Sequence, residues 1–183
     1  MKPVIAIYGP CGSGKSYLLT KISNSYLLNE RVRTLNIKDM FIAMANVLSD
    51  DFGKMGYELS EADMKHLCLL IGRYGEERLS PMIWTDQWVS QTKQINDWIV
   101  NDGIRTKMNL DGLYKVAESR PVILLKLNVS ESVRRCRLGP KFRENDVFDN
   151  VEKPANLPAN FKWVELSEGW DLSDLKEVFK EYL

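Results

Sequence analysis

The segment Gly9-Pro10-Cys11-Gly12-Ser13-Gly14-Lys15-Ser16, set directly behind the apolar run Pro3–Tyr8, constrains this chain more than any other feature. It satisfies G-x-x-x-x-G-K-[ST] at every fixed position. The run Pro3–Tyr8 is short, apolar and β-branched, which predicts a strand buried on both faces. Behind the turn, Lys15 to about Leu28 carries Leu18, Leu19, Ile22 and Tyr26 at helical spacing. A glycine-rich turn between strand and helix lets successive backbone N–H groups converge on anionic oxygens, where the helix dipole also favours negative charge. In such a loop the Lys15 ammonium reaches the β- and γ-phosphates of a nucleotide and the Ser16 hydroxyl binds Mg²⁺. The expected phosphate-binding segment therefore runs from Gly9 through Tyr17.

The rest of the chain alternates strand and helix patterns. Val32–Ile37 reads as a strand. Asp39 suits a helix cap before Phe41–Leu48, or a place near an acceptor. Asp50–Tyr57, with two glycines, reads as a loop. Ser60 with Asp63 marks a helix start, and that helix is expected to reach Leu70, with Gly72 and Gly75 flanking a break. A further helix begins near Pro81 and carries Ile83, Trp84, Trp88 and Val89. Trp98–Val100 is a strand ending at Asn101–Asp102, Leu110–Val116 is helical, and Val122–Leu127 is another strand. Ser130 is expected to cap a helix through Arg137. Leu138–Asn160, rich in charge, proline and glycine, is either a flap or a surface loop. Phe161–Leu166 suits an edge strand and Leu172–Leu183 an amphipathic closing helix. This alternation predicts one domain over residues 1–183, a mainly parallel sheet covered on both faces.

An apolar strand that ends in an acid suits a carboxylate in the Mg²⁺ shell, which makes Asp102 a candidate beside Ser16. Arg105 follows three residues later and can grip a phosphate bidentately. Arg134 and Arg137, three apart, share a helix face, with Lys141 and Arg143 nearby. Arginines beside a flap are what phosphoryl transfer uses to neutralise developing charge and exclude water. Trp84 and Trp88 either stack on a base or pack into the core, and core packing is the expectation. Asp86 is expected to be a solvated helix residue, His66 to be structural and Cys11 to be a bystander in the loop.

Other classes fit less well. No N-K-x-D element for reading guanine is present. Twenty-five basic and 25 acidic residues cancel, which argues against a chain that lives on nucleic-acid backbone, although local basic patches leave such contact open. Three widely spaced cysteines, Cys11, Cys68 and Cys136, suit free thiols in a reducing compartment. No apolar run approaches a membrane span. The expected setting is the cytoplasm, that of a bacterium or a phage-infected host cell.

Several segments resemble the small P-loop kinases of nucleoside monophosphates, particularly the phage-type deoxynucleoside monophosphate kinases. Asn36-Ile37-Lys38-Asp39-Met40 is similar to that family's segment before the second helix. Gly72 to Arg78, followed by Ser80-Pro81-Met82-Ile83-Trp84, resembles its Gly…Arg…Asp-Pro-Asp-x-Trp element, with Ser80 and Met82 in place of the acids. Asn101-Asp102-Gly103-Ile104-Arg105 with Asn109 and Leu113 resembles its strand-end motif, with Thr106 where an aromatic is usual. The ending from Trp163 to Leu183 also fits. The resemblance implies a three-layer α/β/α P-loop fold on five parallel strands, with acceptor-binding residues within about 39–97 and a lid within about 134–160. It implies ATP as donor with Mg²⁺, and a nucleotide acceptor. Asp39, Arg73, Arg78, Trp84 and Arg105 become the acceptor-site candidates. Lys15, Arg134, Arg137 and Asp102 become the catalytic ones. A hydroxyl acceptor (nucleoside, modified DNA base or metabolite), served by Asp39 or Asp86 as base, remains open, as do a nucleotide-binding switch and a homodimer.

Overall fold

A computed structural model describes residues 1–24, 30–142 and 148–183, with the side chain of Leu172 also outside the description. The expectations for Tyr26, Leu28 and Arg143 fall outside these residues. The strands are β1 (Val4–Tyr8), β2 (Val32–Thr34), β3 (Trp98–Ile104), β4 (Val122–Leu127) and β5 (Phe161–Leu166). They form a single five-stranded sheet, ordered β2-β3-β1-β4-β5. Every pairing is parallel, and Val4, at the start of β1, sits level with Ile99 of β3 and Val122 of β4.

The helices are α1 (Lys15–Asn24), α2 (Ile37–Lys54), α3 (Glu61–Tyr74), α4 (Ile83–Thr92), α5 (Lys107–Ala117), α6 (Glu131–Leu138) and α7 (Leu172–Phe179). Because side chains alternate along a strand, β1 feeds two cores. Val4, Ala6 and Tyr8 pack with Met40 of α2, Trp84 and Trp88 of α4, and Leu113 of α5. Ile5 and Ile7 face the opposite layer, with Leu18 and Ile22 of α1 and Phe179 of α7. The result is the three-layer α/β/α sandwich that the alternation predicted. β5 pairs with β4 alone and is an edge strand, as expected. The end of β1 lies at the centre of the sheet, so the glycine-rich turn opens at the carboxyl edge of the strands, where parallel sheets place their ligand crevice.

Several boundaries differ from expectation, each for a local reason. Helix α2 runs through Asp50 to Lys54, because Gly53 sits in open space and interrupts nothing. Gly56, at φ +86°, provides the left-handed residue that ends it. Asp39 is not the cap of α2. That position belongs to Asn36, whose backbone N–H donates to the Asp39 carboxylate at 2.7 Å. Helix α3 continues through Gly72, where an added Cβ would meet the Phe41 ring at an ordinary contact distance of 3.9 Å. One π-helical turn over Gly75–Leu79 then leads to α4. Gly72 continues α3 without interruption, while Gly75, where α3 gives way to the π turn, leaves room for the Trp84 ring. Strand β2 is shorter than Val32–Ile37, since the chain turns into α2 at Ile37.

Ser60 caps α3 as read, accepting from Asp63 N. Ser130 stands at the cap position of α6 without a side-chain bond to that helix's backbone N–H groups, its hydroxyl instead sharing a 3.1 Å hydrogen bond with that of Ser132. Arg120, 1% exposed, was not anticipated. Its guanidinium donates to the carbonyls of Lys2, Thr92, Ile95 and Asp97, tying the start of β1 to the end of α4 and the entry of β3.

Candidate active site

The turn after β1 has the form its sequence requires. Gly12 and Gly14 take φ of +77° and +100°, values that side chains resist. A Cβ on Gly12 would also stand 2.8 Å from Leu138. Lys15 is 7% exposed, and its ammonium donates to the carbonyls of Gly9 and Pro10 at 2.6 and 2.8 Å. The cation is thus held across the mouth of the loop.

Strand order brings the acid to the hydroxyl. Because β3 lies beside β1, Asp102 comes close to the first turn of α1, and Ser16 Oγ donates to its Oδ2 at 3.3 Å. The backbone of Asp102 is fixed by the Asn36 side chain, which accepts its N–H at 3.0 Å. A hydroxyl and a carboxylate are hard oxygen donors of the kind Mg²⁺ takes alongside waters and substrate phosphates. Among the described residues no group of three or more His, Cys, Asp or Glu gathers to hold a metal ion.

A cleft of about 590 Å³ opens here, lined by the loop, Lys15, Ser16, Tyr17, Asp102 and Arg105. Lys38, from the first turn of α2, also lines it. In sequence, nothing sets Lys38 apart from its neighbour Asp39; its place in the cleft becomes visible only in the fold. The three cations Lys15, Lys38 and Arg105 face a single acid, Asp102, among the described lining residues.

The arginines of α6 arrive from the other side of the loop. Arg134 donates to Cys11 O at 3.4 Å, and Arg137 to Ser13 O at 3.2 Å and Gly12 O at 3.4 Å. Among the described residues, the buried Nε of Arg134 and the buried hydroxyl of Ser13 each find no hydrogen-bond partner. A second cavity, of about 460 Å³, lies between Gly14, Tyr17, Arg137, Glu168 and Trp170. Glu168 accepts from Ser130 N at 2.6 Å. The Ser130 N–H and hydroxyl, with the Arg137 charge, hold its carboxyl below the usual range.

Other candidates are placed elsewhere. Arg73 and Arg78 are exposed on α3 and the π turn, away from the described lining of the cleft. Trp84 is 4% exposed, donates to Gly72 O at 2.9 Å and meets Phe41 edge-on. The anticipated core packing therefore accounts for it. The Asp39 carboxylate is engaged at the start of α2, and Asp86 pairs with Lys115 at 2.6 Å. His66 is exposed rather than structural.

Residues 148–151 cross the carboxyl edge of the sheet. The Tyr8 hydroxyl donates to Asp149 O and accepts from Val151 N, and Asp149 N donates to Arg105 O at 2.9 Å. Burial pushes the Tyr8 phenol upward, against the Val151 N–H. The nearly buried Lys126 donates to Val151 O at 3.0 Å. A lone charge in the run Val122–Leu127 was the signal that could have found it.

No protein-family model and no curated protein matches the chain. Among solved structures it is similar to an unliganded sugar kinase from Janibacter sp. HTCC2649, at 15% identity and TM-score 0.45, covering 100% of this chain and 94% of that one. It is similar to a gluconokinase from Sinorhizobium meliloti 1021 at 14% identity and TM-score 0.47, covering 96% and 88%. It is also similar to a deoxyadenosine kinase from M. mycoides with bound dATP, at 13% identity and TM-score 0.43, covering 97% of each chain. No described helix is long and apolar enough to cross a membrane.

Proposed function

We propose that this chain transfers the γ-phosphoryl group of Mg-ATP to an acceptor that already carries an ionised phosphate, a nucleoside or deoxynucleoside monophosphate. The observation that carries this reading is the charge balance of the cleft, three cations and one carboxylate beside the loop. A hydroxyl acceptor needs a base to take its proton. The two acids considered for that task are engaged elsewhere, Asp39 at the start of α2 and Asp86 with Lys115. Asp102 faces Ser16. A phosphate acceptor brings its own anionic oxygen and needs positioning and charge neutralisation instead.

The residues divide the work accordingly. The loop amides and Lys15 cradle the donor phosphates. Ser16 and Asp102 would hold Mg²⁺, which offsets charge on the β- and γ-oxygens when bound. Arg105 and Lys38 hold the acceptor phosphate in line. An acceptor oxygen forms the new P–O bond as the β–γ bridging bond breaks, and ADP departs with the electron pair. Arg134 and Arg137, already on the loop, neutralise charge on the transferring group. The cavity between Tyr17, Arg137 and Trp170 offers aromatic and guanidinium faces to the donor base. On this reading α6, with Arg134 and Arg137, is the part of the lid that meets the loop.

An acceptor panel with radiolabelled ATP and magnesium tests the proposal. Label is expected on nucleoside monophosphates, giving diphosphates, with nucleosides, sugars and DNA left unlabelled. Label on any hydroxyl acceptor, or ADP release that no acceptor stimulates, would overturn it.

A further inference from the structure

The second helical pair carries apolar surface that the fold does not use. Leu69, Leu70 and Tyr74 on α3, with Leu79 at the end of the π turn, are 51–65% exposed, and α2, packed alongside, adds exposed Met44 and Val47. At 100° per residue, positions 69, 70, 73 and 74 fall within one half of the α3 circumference. They form an outward stripe, opposite the side on which Ile71 joins the core. None of the six lines the cleft. A standard interface buries roughly 800 Å² per partner, and this stripe would form the apolar centre of one.

The charges along the stripe say what covers it. Arg73, Glu76, Glu77 and Arg78 are all exposed, and none makes an ion pair or side-chain hydrogen bond among the described residues. Two cations and two anions within six residues suit neither a basic nor an acidic partner. They do suit the same segment running the opposite way, since a two-fold contact brings residue i to j and j to i. The chain's equal numbers of acidic and basic residues add no net repulsion between copies.

We infer that the α2–α3 face is where two copies of this chain associate about a two-fold axis. Tyr74 lies near its centre, Arg73 of each copy faces the acidic pair Glu76–Glu77 of the other, and Leu70 of each copy packs toward Leu79 of the other. The apolar centre supplies affinity, while the rim charges fix register and direction.

Sedimentation equilibrium and light scattering of the full chain test this. The expected mass is twice the 21.1 kDa of the chain, falling toward 21.1 kDa on dilution. Leu70→Asp with Tyr74→Asp should weaken association at least tenfold, while circular dichroism and the melting profile stay those of a folded domain. Met44→Glu provides a second, independent disruption on α2. Glu77→Arg should weaken the dimer at low salt, and adding Arg73→Glu should restore it. A chain monomeric at every concentration would overturn the inference, as would a dimer that survives both apolar variants. The readout is mass alone, so it stands or falls separately from the acceptor panel.

Discussion

Lys15 is a buried cation whose ammonium donates to the carbonyls of Gly9 and Pro10. Its position is set by the loop, and the hydrophobic cores do not depend on it. Lys15→Ala should therefore separate chemistry from folding. Removing one preorganised group that stabilises transition-state charge costs on the order of 10²–10³ in rate. We expect at least that loss in ADP formation in the presence of acceptor, with circular dichroism and the melting temperature close to those of the parent chain. A variant that turns over normally would dismiss the loop as the donor site. Arg105 stands at the end of β3, in the cleft but outside the loop. A hydrogen bond to a charged group is worth about 1.5–3 kcal/mol, so Arg105→Ala should raise KM for the acceptor roughly 10- to 100-fold while KM for ATP moves little. Steady-state kinetics with each substrate varied in turn decides this. An effect confined to the ATP KM would place Arg105 on the donor side.

At the scale of elements, legibility followed the reach of the signal. The strand, turn and helix from Pro3 to Asn24 could be read because pattern and motif lie within one short stretch. Ser60 with Asp63 was equally readable, since a cap and its partner are three residues apart. The span Asp50–Tyr57 reads as a loop because two glycines look alike in sequence. Only the structure separates Gly53, in open space, from Gly56 in the left-handed conformation. Gly72 and Gly75 look alike in sequence too, yet only Gly75 marks where α3 ends. What makes Gly75 glycine is the Trp84 ring arriving from α4, which no local pattern records, whereas Gly72 has room for a side chain. A Cβ on Gly75 would stand 2.4 Å from Trp84, whose indole is anchored to Gly72 O. Gly75→Ala should therefore overpack the core by about 1–3 kcal/mol, lowering the melting temperature by roughly 2–4 °C for each kcal/mol. Calorimetry measures this directly. An unchanged or raised melting temperature would mean that the π turn shifts freely and that Trp84 is not held there.

At the scale of the whole molecule, the sequence supports a parallel sheet between helical layers but leaves the strand order open. Order is what assembles the site, because placing β3 beside β1 brings Asp102 to Ser16. A stripe such as Leu70 with Tyr74 is likewise ambiguous in sequence, since periodicity marks an apolar face without saying whether core or partner covers it. The three-dimensional arrangement places the cleft on the loop, β3 and the start of α2, and the apolar face further along α2 and on α3, with no residue shared. Ligand binding and self-association should therefore stabilise the molecule independently. A ligand present at 100 times its Kd stabilises the folded state by about 2.7 kcal/mol, which for a chain of this size is a rise of roughly 5–10 °C in melting temperature. Mg-ATP should produce that rise in the parent chain and, undiminished, in the Leu70→Asp, Tyr74→Asp variant. Lys15→Ala should lose most of it. Asp102→Asn should respond to ATP about equally with magnesium or with chelator, because the carboxylate expected to share the metal is gone. Differential scanning fluorimetry over a series of ATP concentrations reads all four cases. A Mg-ATP shift that survives in Lys15→Ala would locate the nucleotide outside the loop after β1, and a shift that vanishes with the apolar variant would mean that the two surfaces are coupled after all.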